Sequence, residues 1–94
     1  MRAALVSPEA LFRRAGRAAY GMGWNIVAVA PDEGRIEATD TSLFFGFTDD
    51  IVIRVKPSGM GARLDIRSEA RAGEKDWGRN ADRIRAYMKR LARS

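Results

Sequence analysis

The chain predicts an α+β domain: a four-stranded antiparallel meander with an N-terminal and a C-terminal helix packed on one face of the sheet. Three observations carry this. Apolar residues recur at helical spacing at both ends, Leu11, Ala15, Ala18 and Met22 near the start and Trp77, Ala81, Ile84, Met88 and Leu91 near the end. Between them, Asp50 to Lys56 and Arg63 to Glu69 alternate apolar and polar residues, the period of a half-buried strand. Runs rich in Pro, Gly and Asp separate the alternating stretches, so consecutive strands are joined by tight turns and pair with their neighbours.

Ser7-Pro8-Glu9 opens the first helix with a capping hydroxyl, a proline at the first helical position and an acid in the first turn. Phe12 and Ala19 widen its apolar stripe, Arg13, Arg14 and Arg17 fall away from it, and Gly21 and Gly23 end it. Residues 2–6 could add a short strand before it. Trp24 to Ala30 reads as the first main strand and Pro31-Asp32-Glu33-Gly34 as a turn. Arg35 to Thr39 returns as the second strand. Its continuation, Asp40 to Phe47, is less regular, which points to a bulge or hairpin end around Gly46.

The third and fourth strands must place Ile51, Ile53 and Val55 on the same side as Leu64, Ile66 and Ser68. Odd-numbered inward residues then face even-numbered ones, which a two- or four-residue loop allows. The simplest register sets Val55 opposite Leu64, Ile53 opposite Ile66, and, on the outer face, Arg54 opposite Asp65. The final helix is expected to be capped by Asp76 and to carry Arg79, Arg85, Lys89, Arg90 and Arg93 on its outer side.

Ninety-four residues make one domain, residues 1–94. No run approaches the roughly 18 apolar residues of a membrane span. A complete chain of this kind is expected in the cytoplasm, and one cut from a longer protein could belong to a membrane or the cell envelope. The absence of Cys and His removes disulfides, thiolate chemistry, and the commonest general base and metal ligand. The net charge of +5 is uneven. Residues 1–23 carry four basic and one acidic side chain, residues 24–78 seven and ten, and residues 79–94 six and one. Basic ends permit an anionic partner, with solvated helix faces as the plainer reading.

Several segments together resemble the bacterial and plastid family known as domain of unknown function 1499. They are Gly34-Arg35-Ile36-Glu37-Ala38-Thr39; Phe45-Gly46-Phe47-Thr48-Asp49-Asp50-Ile51-Val52-Ile53-Arg54; Arg63-Leu64-Asp65-Ile66-Arg67-Ser68; and Arg71, Gly73, Asp76, Gly78, Asn80, Arg83 and Ile84 beyond them. The resemblance spans about Pro8 to Leu91 and implies no established activity. Family members usually have more sequence before the first helix, many with a membrane segment. The position of Ala70 is often Ser in them, so no role for that hydroxyl carries over.

Arg67, Arg71, Asp76, Asn80 and Arg83 are the candidate polar site. Asp76, Asn80 and Arg83 fall at spacings that let them neighbour one another on a helix. They could form an anion pocket at a helix N-terminus. The plainer reading is that Asp76 caps the helix, Asn80 bonds loop backbone and the arginines neutralise carboxylates. Asp49 and Asp50 are adjacent, but strand alternation points them to opposite sides, poor geometry for an acid–base dyad. Phe44, Phe45 and Phe47 are the candidate interaction surface, with core packing as the plainer reading. No nucleotide-binding glycine loop, nucleophile elbow or cofactor motif is present.

The expectation is a non-catalytic binding or assembly module with a protein partner and no cofactor. The alternatives are nucleic-acid or anionic membrane-surface binding through the basic last helix, and a ligand cavity between sheet and helices.

Overall fold

Ser7 starts the first helix as its sequence requires. Its backbone is extended (φ −67°, ψ 152°) and its Oγ accepts a 3.0 Å hydrogen bond from the Ala10 amide. The computed structural model describes residues 2–4, 6–42, 46–71 and 76–93. Within these, the elements are β1 (Arg2–Ala4), α1 (Pro8–Gly21), β2 (Asn25–Ala30), a 3-10 turn (Pro31–Glu33), β3 (Arg35–Thr41), β4 (Thr48–Ser58), β5 (Gly61–Ala70) and α2 (Arg79–Arg93). The sheet order is β1-β5-β4-β3-β2, with every neighbouring pair antiparallel. The expected four-stranded meander is β2 to β5. The short β1 adds a fifth, edge strand beside β5.

The β4–β5 hairpin has the register that the alternation demands: Val55 opposite Leu64, Ile53 opposite Ile66 and Arg54 opposite Asp65. Ser58 pairs with Gly61, leaving the two-residue loop Gly59-Met60. Gly59 takes φ 56°, which the first position of a type II′ turn needs. Both strands run further than expected, through Pro57. Its nitrogen points to the same side as the Val55 amide, which donates to Gly34 O at 2.8 Å. There β3 has already ended, so the missing N–H breaks no ladder.

Gly34, at φ 64°, ends the turn before β3. A Cβ there would lie 2.2 Å from the Val55 carbonyl oxygen, so only glycine lets these two strands come together.

One face of the sheet carries the core. Ile36, Ala38, Ile51, Ile53, Val55, Leu64 and Ile66 are buried against Leu11, Ala15, Ala18 and Ala19 of α1 and Tyr87 and Leu91 of α2. Each large aliphatic residue buried in this way contributes about 1.5–3 kcal/mol. Both helices lie on that face, α1 across β2, β4 and β5, and α2 over β5 and against α1.

The last helix departs from the expected stripe. It begins at Arg79, and Asn80, Tyr87 and Leu91 are its buried residues, with Ile84 and Met88 packed at the margin. Trp77 is 80% exposed and outside the helix, and Ala81 is exposed. The helix is rotated because Arg79, expected on the outer side, and Arg83 turn toward a buried carboxylate of the sheet, and Asn80 turns toward Ser68. Tyr87 stacks on Trp24 with ring centroids 5.4 Å apart and donates a 2.9 Å hydrogen bond to Ala15 O. Burial pushes its hydroxyl pKa up. Arg14 also turns inward, its Nη2 donating to Leu91 O at the end of α2 (3.1 Å).

Candidate functional site

Strand parity builds the polar cluster. Asp49 shares the inward face of β4 with Ile51 and Ile53 and is fully buried, while Asp50 points to the outer side. Ser68 lies inward on β5, opposite Ile51. The first turns of α2 bring Arg79 and Arg83, four residues apart, over these two positions. Arg79 grips Asp49 with two bonds, Nε to Oδ2 at 2.6 Å and Nη2 to Oδ1 at 2.5 Å. Arg83 Nη1 lies 2.8 Å from Asp49 Oδ2 and donates to Ser68 Oγ (3.0 Å) and Asn80 Oδ1 (2.6 Å). Its other end meets Asp40 Oδ2 at 2.9 Å. Ser68 Oγ in turn donates to Asn80 Oδ1 at 2.5 Å.

Two guanidiniums thus face two carboxylates. Bonding to Arg79 above all, and to Arg83, holds the Asp49 carboxyl below its ordinary range despite burial. Asp76 Oδ1 accepts the Asn80 amide at 2.9 Å, and this bond holds the Asp76 carboxyl below the ordinary range too. The Asn80 Nδ2 has no hydrogen bond of normal geometry among the described residues, yet it adds to the stabilisation of the Asp76 carboxylate. Asp76 caps α2 from three residues before it, across Trp77 (φ 56°) and Gly78 (φ 82°). The cluster can orient and neutralise. Its charges are spent on one another, and no group of three or more metal-ligating side chains occurs among the described residues.

Of the five expected site residues, Asp76, Asn80 and Arg83 meet in this cluster. Arg67 and Arg71 lie elsewhere. Arg67 is on the outer face opposite Val52, and Arg71 makes an exposed bidentate pair with Asp50, Nε to Oδ2 at 3.1 Å and Nη2 to Oδ1 at 3.2 Å. Both line an outer cleft of about 450 Å³ with Glu69. Asp49, Asp40, Ser68 and Arg79 were absent from the expected set. Parity alone could have found Asp49 and Ser68, since both fall in step with inward aliphatic residues. Phe44 and Phe45 lie outside the described residues. Phe47 is half-buried, with the Arg79 guanidinium 5.2 Å from its ring centroid.

The clefts lined by described residues are open to the surface. One, of about 520 Å³, runs between α1 and the edge strand β2, walled by Phe12, Gly16, Tyr20, Ile26, Val29 and Ile36. Its rim carries Arg13 and Arg17. A second, of about 570 Å³, separates α1 from α2 and is lined by Arg17, Lys89, Arg90 and Arg93. Arg13, Arg17, Lys89, Arg90 and Arg93 are exposed and make no ion pair among the described residues. The outer side of the helix layer is therefore strongly basic. No described helix is long and apolar enough to cross a membrane.

Comparison with curated proteins finds none that matches the chain. The family described as Protein of unknown function (DUF1499) matches residues 3–91, nearly its whole length, and the protein belongs to that family.

Proposed function

We propose that the domain is a non-catalytic binding module whose working surface is the outer side of the helix layer. The observation behind this is a contrast between two sets of charges. Arg71, Arg79 and Arg83 are matched with Asp50, Asp49 and Asp40. Arg13 and Arg17 stand unmatched beside an apolar groove, and Lys89, Arg90 and Arg93 stand unmatched around a second cleft between the helices. Charges that answer one another hold a fold, and charges left open beside apolar surface suit a partner. A chain without His or Cys, whose buried Asp is already claimed by two arginines, offers little to general acid–base or nucleophilic chemistry.

Cross-linking in the source cells tests the reading. Wild type, a helix-layer variant (Arg13→Glu, Arg17→Glu, Lys89→Glu, Arg93→Glu) and Arg71→Gln are compared. Cross-links present in wild type and Arg71→Gln and absent from the helix-layer variant support it. A cross-link pattern identical in all three refutes it.

The basic layer also favours a second reading, an acidic polymer such as nucleic acid. That reading requires binding that weakens steeply with salt. With Tyr87 buried, stacking on bases from α2 contributes nothing to it.

A further inference from the structure

The helix layer covers the β2 edge of the sheet only in part. Among the described residues β2 pairs with β3 alone, so its other side carries backbone groups without a strand partner there. A bulge between Ile26 and Ala28 resets its alternation. Ile26 pairs with the inward Ala38 and, past the bulge, Val29 pairs with the inward Ile36. Val29 therefore faces the helix side of the sheet, yet it is 55% exposed, because α1 lies too far over the sheet to cover it. Across the gap, α1 presents Phe12, Gly16 and Tyr20 at four-residue spacing, with Tyr20 78% exposed. The result is an apolar trough with a helix for one wall and an open strand for its floor.

Resting on the binding-module reading, we infer that this trough takes an extended peptide segment of a partner, paired to β2 as a sixth strand, with apolar side chains inward and acidic ones at the rim. A strand added to β2 would satisfy the open backbone groups and lay alternate side chains over Val29, Ile26 and Tyr20. Arg13 and Arg17, exposed on the rim, select carboxylates. The same arginines argue against a second copy of this chain. Pairing β2 with β2 would bring two α1 helices side by side and set like charges against each other.

A display library of random peptides of about ten residues, the length of a long strand, provides the probe. The expected winners alternate apolar residues with Asp or Glu. A fluorescein-labelled winner is expected to lose about tenfold or more in affinity on Val29→Asp and on Arg13→Glu with Arg17→Glu. Its binding is expected to slow amide exchange in β2. All three positions are exposed in the folded domain, so these variants fold. Winners without acids, winners indifferent to both variants, or unchanged exchange in β2 would overturn the inference.

Phosphatidylserine–phosphatidylcholine vesicles form the second arm. Vesicle binding that depends on Arg13 and Arg17, with no peptide enriched, overturns the peptide and leaves the binding module standing. A cross-link pattern that is also identical in wild type and the helix-layer variant would remove the module reading itself.

Discussion

Asp49→Asn is the sharpest perturbation of the polar cluster. The carboxylate is fully buried and accepts two short bonds from Arg79, with Arg83 2.8 Å away. An amide of the same shape keeps one acceptor, loses the charge and turns its NH2 against guanidinium donors. Removing one partner of a buried ion pair costs about 3–5 kcal/mol. Arg79 is 22% exposed on its side chain and can turn to water, and Arg83 retains Asp40, Ser68 and Asn80, so the lower end, about 3 kcal/mol, is expected. Domains of this length are stable by about 5–14 kcal/mol, and each kcal/mol moves the midpoint by about 4–8 °C, giving a fall of about 12–24 °C.

Thermal and urea unfolding followed by circular dichroism measure this. The pH dependence sharpens the test. Because the folded pKa of Asp49 is depressed, its stabilisation is complete above the unfolded value of about 3.9 and disappears as pH falls through the folded value. The gap between wild type and Asp49→Asn is therefore widest near neutral pH and closes in acid. A loss below about 1 kcal/mol at pH 7, or a gap that persists unchanged into acid, would refute the buried lock.

Three other outcomes follow from the same geometry. Arg83→Gln is expected to lose about 3 kcal/mol or more by stripping a partner from Asp49, whereas Arg71→Gln, from an exposed pair with Asp50, should lose about 0.2–1 kcal/mol; urea melts that rank them equally would contradict this. Gly34→Ala is expected to cost more than the roughly 1–2 kcal/mol of left-handed strain, since its Cβ must push the Val55 carbonyl away; a neutral calorimetric result would count against the close approach. Tyr87→Phe should lose about 0.5–1.5 kcal/mol with the Ala15 bond, and an unchanged urea midpoint would show that bond to be idle.

Much of the fold was legible because strands impose a strict period of two. Once Ile53 and Ile66 had to face the same core, Arg54 had to face Asp65. The α1 cap and stripe were equally direct. The rotation of α2 was not, because hydrophobicity counts Asn80 and Arg83 as outward residues. Only the charge of Asp49, buried on a strand distant in sequence, makes inward polar residues favourable there. Trp77 looked like the first residue of the stripe for the same reason. The trough was hidden as well. The bulge in β2 carries no glycine or proline signal, and without it Val29 would be assigned to the outer face.

The most direct check is an NMR titration of the uniformly labelled wild-type protein with a peptide selected on it. Amide shifts should cluster in Asn25–Ala30 and along α1 around Arg13, Arg17 and Tyr20, while Asp40, Asp49 and the Asp76–Arg83 segment stay still. Shifts centred on that segment, with β2 silent, would mean that the aspartate–arginine cluster is the binding site after all.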